Sequence, residues 1–467
     1  MWYPVTTKRG AEGLPAKERV RMKFIAILAC KVLRLVGRLL GRGSSLPGQI
    51  ALKLDPNILR KLKLPQRVIA VTGSNGKTST VEMIAHVLRQ AGLTVSYNKE
   101  GSNQIEGVAT LLLSECTLFG RVKSDVVLLE SDERFARHTF RHFTPTHYVI
   151  TNLYRDQLTR NGHPEWIFDI LQDSIHPGTR LILNADDPLV SCFALGRDNP
   201  VTWFGVERLP ISRETPSGRY NDGAYCPHCK GPMEYEFYHY HHIGAYRCPS
   251  CGLHRSEPDD AVTEASLEEK YLVINGKYRV NMAFAGVYHM YNTLAAFSAC
   301  RCLGVEEETI GRALSGYALQ NGRVVSFRLG DKRGTLLASK HENSVSYDQS
   351  IDVSVRAGED VTVLVLVDAI SRKYFTSETS WLWDIDFEAL AAPQVRAVVL
   401  SGRYCCDLAA RFAYTGVPEE RLHVMADIGA AADWLRRNAQ GHIYVITCFS
   451  DKDKFLSRVE MEGGEGQ

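Results

Sequence analysis

The sequence predicts an α/β protein in two parts: a central domain on a mainly parallel sheet and a smaller C-terminal α/β domain, with a ribbon of paired cysteines inserted into the first. Three observations predict this. Residues 68–71 are an apolar, largely β-branched run, followed by Gly73 and Gly76 and then by helical spacing over 81–88, which makes a strand, a tight loop and a helix. Further short apolar runs at 126–129, 148–151 and 180–183 alternate with helical patterns, as they do in a parallel sheet covered by helices on both faces. Cys226-Pro-His-Cys229 and Cys248-Pro-Ser-Cys251 are two Cys-x-x-Cys knuckles separated by eighteen residues.

A chain of 467 residues has room for two or three domains, and 45% hydrophobic with 23% charged residues is ordinary for a soluble globular protein. The net charge is only +2, yet residues 1–64 carry fourteen Lys or Arg against three Asp or Glu. A basic leader suggests an anionic surface nearby. Of the twelve cysteines, four form the knuckles and the rest are scattered in apolar stretches, which fits a reducing cytoplasm better than a disulfide framework. The apolar run 24–30 is interrupted by Lys31, with Arg34 and Arg38 following, so it makes no convincing signal peptide. No segment reaches the roughly 18 uncharged apolar residues of a membrane span.

In chain order, residues 1–62 are expected to be leader and connection, 63–318 the central domain with its insertion at about 222–257, and 319–467 the C-terminal domain. Phe24, Ile25, Leu28, Val32, Leu35, Val36 and Leu39 repeat at helical spacing over 20–41, with Lys31, Arg34 and Arg38 on the other side. This amphipathic basic helix reads either as packed on its own domain or as resting on anionic lipid at the inner face of a membrane. Residues 41–47 end it, and 52–64 read as a connecting helix.

Gly73-Ser74-Asn75-Gly76-Lys77-Thr78 then has the mechanism of a phosphate loop. Bare backbone N–H groups and a helix N-terminus cradle phosphate oxygens, Lys77 reaches the terminal phosphates, and the Thr78 hydroxyl sits on Mg²⁺. Lys77 is read as a phosphate ligand whose loss spares the fold. The common loop has four residues between its glycines, and this one has two. A chance Gly-Lys-Thr is the bland alternative, and the strand before and helix after argue against it. Run 126–129 leads into Glu130-Ser131-Asp132-Glu133, and run 148–151 into Asn152-Leu153-Tyr154-Arg155-Asp156-Gln157. A lone acidic cluster is usually a solvated turn, but strand-end carboxylates beside a phosphate loop can hold Mg²⁺. Asn184-Ala185-Asp186-Asp187-Pro188 reads plainly as an Asx turn before proline.

The two knuckles match a closed, structural four-cysteine Zn²⁺ site, with two stacked redox pairs as the minor alternative. Residues 238–242, rich in His and Tyr, read as ribbon packing, though they could also face a sugar or base. Runs 271–274 and 278–284 form a hairpin around Asn275-Gly276, and Gly286 opens a helix holding Asn292. Strands at 334–338, 361–367, 395–400 and 443–446 make up the second, Rossmann-like domain. Between them lies 380–388, an acidic loop with two tryptophans that reads as a contact surface rather than plain packing. The ribbon has no basic stripe, which disfavours nucleic acid.

Thr72-Gly-Ser-Asn-Gly-Lys-Thr78 resembles the shortened phosphate loop of the Mur ligases and folylpolyglutamate synthases. Gly101-Ser102-Asn103, 152–157, 184–188, the four-cysteine ribbon, Gly322-Arg323 and Ser380-Trp381-Leu382-Trp383-Asp384 narrow the likeness. From about Leu46 to its end, the chain resembles the MurT-type subunits of lipid II isoglutaminyl synthase. That resemblance implies that Gly73, Asn75, Gly76, Lys77, Thr78 and Ser79 bind ATP, with Thr78 and Glu130 on Mg²⁺ and Asp156 lining a second-metal region. It places Asn292 and Asp186 near the adenosine and has Arg323 complete the site across the domain junction. The implied chemistry is phosphorylation of the D-glutamate α-carboxyl in the lipid II stem peptide, then attack of ammonia on the acyl phosphate. Ammonia would come from a GatD-type glutaminase whose catalytic histidine is oriented by Glu378, or failing that by Asp384. Four places depart from the family pattern: His289 replaces a second Asn, Val325 replaces a Glu, 343–348 replace an Asn-Pro-x-Gly-x-Asn run, and Glu378 stands where the loop usually carries an Asp two residues before Ser-Trp. The other readings are a Mur-like ligase that adds an amino acid, a weakened binding paralogue and a zinc-ribbon nucleic-acid ATPase.

Overall fold

The computed structural model describes residues 16–39, 45–98, 103–157, 161–318, 322–369 and 378–461. Gly101 and Ser102 of the family motif, and residues 41–44 of the stretch expected to end the first helix, lie outside them.

Strands β1 (Arg67–Thr72), β2 (Val95–Tyr97), β3 (Val126–Glu130), β4 (His147–Ile150), β5 (Arg180–Asn184) and β6 (Val201–Val206) precede the ribbon hairpin β7 (Glu234–Tyr240) and β8 (Ile243–Arg247). After the ribbon come β9 (Asp260–Ser266), β10 (Tyr271–Ile274) and β11 (Tyr278–Asn281). The large sheet runs β11-β10-β9-β6-β5-β4-β1-β3-β2, parallel from β2 to β9 and antiparallel between β9, β10 and β11. Because side chains alternate along a strand, β1 sends Ile69 and Val71 into one core and Val68 and Ala70 into the other. Burial on both faces explains its continuous apolar run. The expected hairpin is present, with Asn275 and Gly276 both at positive φ (55° and 65°) in the three-residue connection between the paired Ile274 and Tyr278. Strand β9 was not expected: only Val262 of its residues is a buried large apolar side chain, so its alternation is faint.

The second sheet comprises β12 (Val324–Leu329), β13 (Lys332–Ser339), β14 (Val361–Leu366), β15 (Val395–Ser401), β16 (Leu422–Met425), β17 (His442–Cys448) and β18 (Glu460–Met461). Its order is β16-β15-β14-β17-β13-β12-β18, with a parallel centre from β16 to β13.

The leader corrects two expectations. The connecting helix 52–64 is instead α2 (Leu46–Leu54) and a short 3-10 turn at Ile58–Lys61. Pro56 forces the break, because the residue before a proline is driven out of the helical region, and Asp55 is extended (φ −141°, ψ 93°). Helix α1 (Ala16–Leu39) does pack on its own domain, through Ala26, Ile27 and Cys30. Two lysines of that helix, however, face the domain rather than solvent. Lys23 Nζ donates to the carbonyls of Lys61 and Phe119 (2.8 Å each), and Lys31 Nζ donates to that of Ser114 (2.6 Å). Unpaired carbonyls at turns and a helix end attract these ammonium groups inward.

Candidate functional site

Strand β1 delivers the loop, and the loop must be glycine at both bends. Gly73 has φ +135°, and a Cβ there would lie 2.2 Å from Thr151 Oγ1; Gly76 has φ +87°, with Asn292 Oδ1 2.0 Å from its would-be Cβ. Helix α3 (Lys77–Gln90) starts at once, and its N-cap is Gly76, which has no side-chain oxygen to occupy the first-turn N–H groups. Those donors and the helix dipole make an anion site.

Carboxylates and amides surround the loop from the ends of β3 and β4. Lys77 is buried, and its ammonium donates to Gly73 O and to the Glu133 carboxylate. Burial penalises that charge, but Glu133, Asp156 and Glu130 outweigh the penalty and hold the lysine pKa above its ordinary value. Burial also pushes Glu133 upward, against the pull of Lys77. Thr78 Oγ1 donates to Glu130 Oε2 (2.9 Å), Asn103 Nδ2 to Glu130 Oε1 (3.4 Å), and Glu130 N to Asn98 Oδ1 (3.0 Å). Asn152 reads the loop backbone, accepting from Asn75 N at 2.9 Å and donating to Asn75 O at 3.2 Å.

The second sheet closes the site. From the end of β13, Lys340 Nζ donates to Ser74 O (2.8 Å) and lies 3.6 Å from Asp156 Oδ2. Burial and the nearby Lys77 pull the Lys340 pKa down. Asn343, fully buried, forms a reciprocal amide pair with Asn75 (3.0 Å each way) and donates to Asp156 Oδ1 at 2.7 Å. Its Oδ1 also accepts from Ser346 N, capping helix Ser344–Val355. Asn343→Ala is therefore expected to lower stability by ~1–3 kcal/mol and to raise the KM for ATP. Thermal unfolding and ATP titration of turnover check it; no change in either would mean the contact does not hold the site closed.

A cavity runs along this seam, lined by the loop from Asn75 to Ser79 and by Tyr288, Asn292, Arg323, Lys340 and Gln349 among others. Tyr288 and Gln349 also line a wider cavity of about 610 Å³ between the ribbon and helix Ser344–Val355, the size of a ligand pocket. The structure thus brings together Gly73, Asn75, Gly76, Lys77, Thr78, Ser79, Glu130, Asp156, Asn292 and Arg323. It does not bring Asp186. That carboxylate has no exposure and is used up by Arg255 Nε (2.6 Å), Tyr291 OH (2.6 Å) and Val206 N (2.7 Å), so it holds β6 to the helix Val287–Cys302 rather than facing the cavity. Asp187 caps Pro188–Ser191 as the Asx reading expects. His289, the departure beside Asn292, is buried and held down to about 4 by desolvation, hence a neutral imidazole.

Glu378 and Asp384 lie outside this cavity as well. Glu378 is exposed and accepts from Ser380 N (2.8 Å), which holds its pKa below the ordinary value; Asp384 accepts from the Tyr220 hydroxyl. The loop around them divides. Trp381 is buried against Tyr347, while Trp383 (41% exposed) and Tyr414 (72%) form an exposed aromatic pair with centroids 5.5 Å apart. Sequence reasoning missed Lys340 and Asn343 as site residues, and singled out Glu133 and Asn152 only as members of the strand-end runs. Lys340 follows a strand end and Asn343 precedes a helix, and both signals were readable; their distance of over 260 residues from the loop was not.

In the ribbon, the four cysteine sulfurs lie within 4.8 Å of one another, with Cys226–Cys251 at 3.7 Å and Cys229–Cys248 at 3.5 Å. A tetrahedron with Zn–S bonds of about 2.3 Å has edges of about 3.8 Å, so the set fits a single metal ion. Residues 238–242 pack within the ribbon, with His239 Nε2 meeting Val206 O at 3.0 Å and His241 Nε2 3.1 Å from Asp348 Oδ2 across the seam, and His239, Tyr240 and His241 also line the wider cavity.

Two family models match: the Mur ligase middle domain over residues 71–209 and the MurT ligase C-terminal domain over 341–451. The lipid II isoglutaminyl synthase (glutamine-hydrolyzing) subunit MurT of Staphylococcus aureus (strain COL) is 32% identical over 381 residues, covering 81% of this chain and 84% of that protein. The chain belongs to the MurT family. The Streptococcus pneumoniae MurT subunit is 30% identical over 434 residues, covering 91% of this chain and 94% of that protein. Among solved structures, a pseudomurein peptide ligase type C from Methanothermus fervidus (TM-score 0.66, 21% identity, 86% of this chain and 80% of that one) and MurF from Acinetobacter baumannii (0.58, 17%, 88% and 80%) share the fold. As a MurT-family member the chain is an ATP-dependent carbon–nitrogen ligase.

Proposed function

We propose that this chain amidates the α-carboxyl of D-glutamate in the lipid II stem peptide to D-isoglutamine, at the cytoplasmic face of the membrane, with ammonia supplied by a GatD-type glutaminase subunit. The observation that carries the reading is the seam itself, where the MurT-type C-terminal unit lays Lys340 and Asn343 on the phosphate loop of a Mur ligase domain. The activity named for the relatives supports the acceptor and the partner.

ATP is held by its phosphates on the N–H groups of Gly76 to Ser79 at the start of α3, with Arg323 and Asn292 toward the adenosine. Lys77 stays charged because three carboxylates favour its ammonium, so it can offset charge on the phosphoryl group in transfer. Thr78 and Glu130, already 2.9 Å apart, would hold Mg²⁺, with Asp156 nearby for a second ion; bound there, the metal neutralises phosphate charge. An oxygen of the acceptor carboxylate attacks the γ-phosphorus and ADP leaves. Ammonia then attacks the carbonyl carbon of the acyl phosphate, and inorganic phosphate departs as the amide forms. Zn²⁺ would be held by Cys226, Cys229, Cys248 and Cys251, a closed set suited to structure rather than catalysis.

The test is an assay with ATP, lipid II and either ammonium or glutamine. The chain alone should amidate only at high ammonium, and the glutaminase subunit should confer use of glutamine. Glu378, exposed at the start of the described part of its loop, is proposed to orient the partner's catalytic histidine, with Asp384 as the alternative. Glu378→Ala should then lower glutamine-driven turnover about 10-fold or more and spare the ammonium-driven reaction. Equal loss of both, or use of glutamine by the chain alone, would refute this division of labour.

A further inference from the structure

Helix α1 is amphipathic the wrong way round for a helix that only packs on its own domain. Its inward side holds Ala26, Ile27 and Cys30 together with two lysines whose ammonium groups are bound to carbonyls. Its outward side is a row of apolar residues at intervals of three and four: Val20 (68% exposed), Phe24, Leu28, Val32, Leu35 (63%) and Leu39 (81%). From Val20 to Leu39 the row runs about 30 Å along the 24-residue helix, an apolar ridge as long as a small domain. A second element joins it. Lys23 Nζ binds the carbonyl of Phe119 and leaves no room for a Cβ at Gly120, so the turn carrying Phe119 is fastened against the helix. The Phe119 ring is 86% exposed, and Leu118 beside it is 38% exposed.

We propose that this ridge, with the Phe119 turn beside it, is a membrane-docking surface that lies in the interface of an anionic bilayer. The charge of the leader fits that occupant: residues 1–64 carry fourteen basic side chains against three acidic ones, and Arg21, Arg121 and Lys123, near the exposed apolar residues in sequence, are themselves exposed. Like charge disfavours a second copy of the same helix as the occupant. An interfacial helix buries its apolar side about 5–10 Å deep while basic groups meet lipid phosphates, and an exposed apolar row flanked by exposed basic residues suits that contact. No described helix is long and apolar enough to cross the membrane, so the contact would be peripheral. The inference deepens the proposed location, and it rests on the proposed function only for the lipid-linked acceptor.

The test is co-sedimentation of the full chain with phosphatidylcholine vesicles, with and without phosphatidylglycerol. The unaltered chain should bind the anionic vesicles, less so at high salt. Leu28→Glu, Val32→Glu and Leu35→Glu together should lower binding at least about 10-fold. All three side chains are exposed, so the unfolding temperature should hold. Absence of binding to either vesicle, or equal binding by the variant, overturns the proposal. So does a dimer of the unaltered chain that the variant splits, or a glutaminase complex that the variant abolishes, since the ridge would then have a protein occupant. Amidation measured with a detergent-solubilised acceptor reads the proposed function separately, so failure of one idea is distinguishable from failure of the other.

Discussion

Lys77→Ala should lower ATP turnover by about 10³-fold or more, since it removes the cation that offsets charge on the transferring phosphoryl group. The sequence alone reads this lysine as a phosphate ligand whose loss spares the fold, and the structure changes that expectation. Lys77 and Glu133 are both buried and paired with each other, so the single substitution strands a carboxylate in the interior. Breaking a buried pair costs about 3–5 kcal/mol, less whatever Glu133 recovers by taking up a proton, which burial already favours. Lys77→Ala should therefore lose stability as well as activity. Lys77→Ala with Glu133→Gln should recover most of the stability and none of the turnover. Thermal unfolding beside ATP hydrolysis separates the two, and turnover near the unaltered level in the stability-matched double variant would end the phosphate-loop assignment.

The reduced, freshly prepared chain should carry one Zn²⁺ per molecule, and Cys248→Ser should unfold the ribbon. Apparent binding energies of about 10–16 kcal/mol are known for small structural zinc sites, which exceed what a two-stranded hairpin gains by itself. The loop leading into the ribbon also contacts the C-terminal domain: Arg213 pairs with Asp352 on helix Ser344–Val355, and Arg219 with Glu388, which in turn pairs with the fully buried Arg411. Loss of the metal should release these contacts and leave the β1 loop intact, so protease sensitivity within 222–257 should rise far more than ATP turnover falls. Metal analysis that finds no zinc would sink the site, and equal loss of turnover and ribbon order would show the two to be one unit.

Several elements were legible because they are local. Gly73 and Gly76 announce a backbone that only glycine adopts, and Asn275-Gly276 announces a tight turn, since each conformation is set by the residue that occupies it. Strands β1, β3, β4 and β5 were legible because burial on both faces demands unbroken apolar runs. Strand β9 and the broken helix at Pro56 were less so: the first buries only one large apolar side chain, and in the second a proline overrides apolar spacing that would otherwise continue.

By itself the sequence determined the strand, loop and helix around Lys77, the pairing of the four knuckle cysteines and the presence of two α/β parts. Each of these is written in residues close together, where geometry follows from spacing. Only the tertiary structure decided which distant groups complete the site, because hydrogen bonds such as those from Lys340 to Ser74 and from Asn343 to Asn75 and Asp156 form between segments that no periodicity connects. It alone showed that Asp186 is taken by Arg255, Tyr291 and Val206, since a buried carboxylate goes to whichever donors surround it. It also turned Lys23 and Lys31 inward and the apolar ridge of α1 outward: helical spacing tells which residues share a face, and the carbonyls waiting on the neighbouring surface determine which face points in.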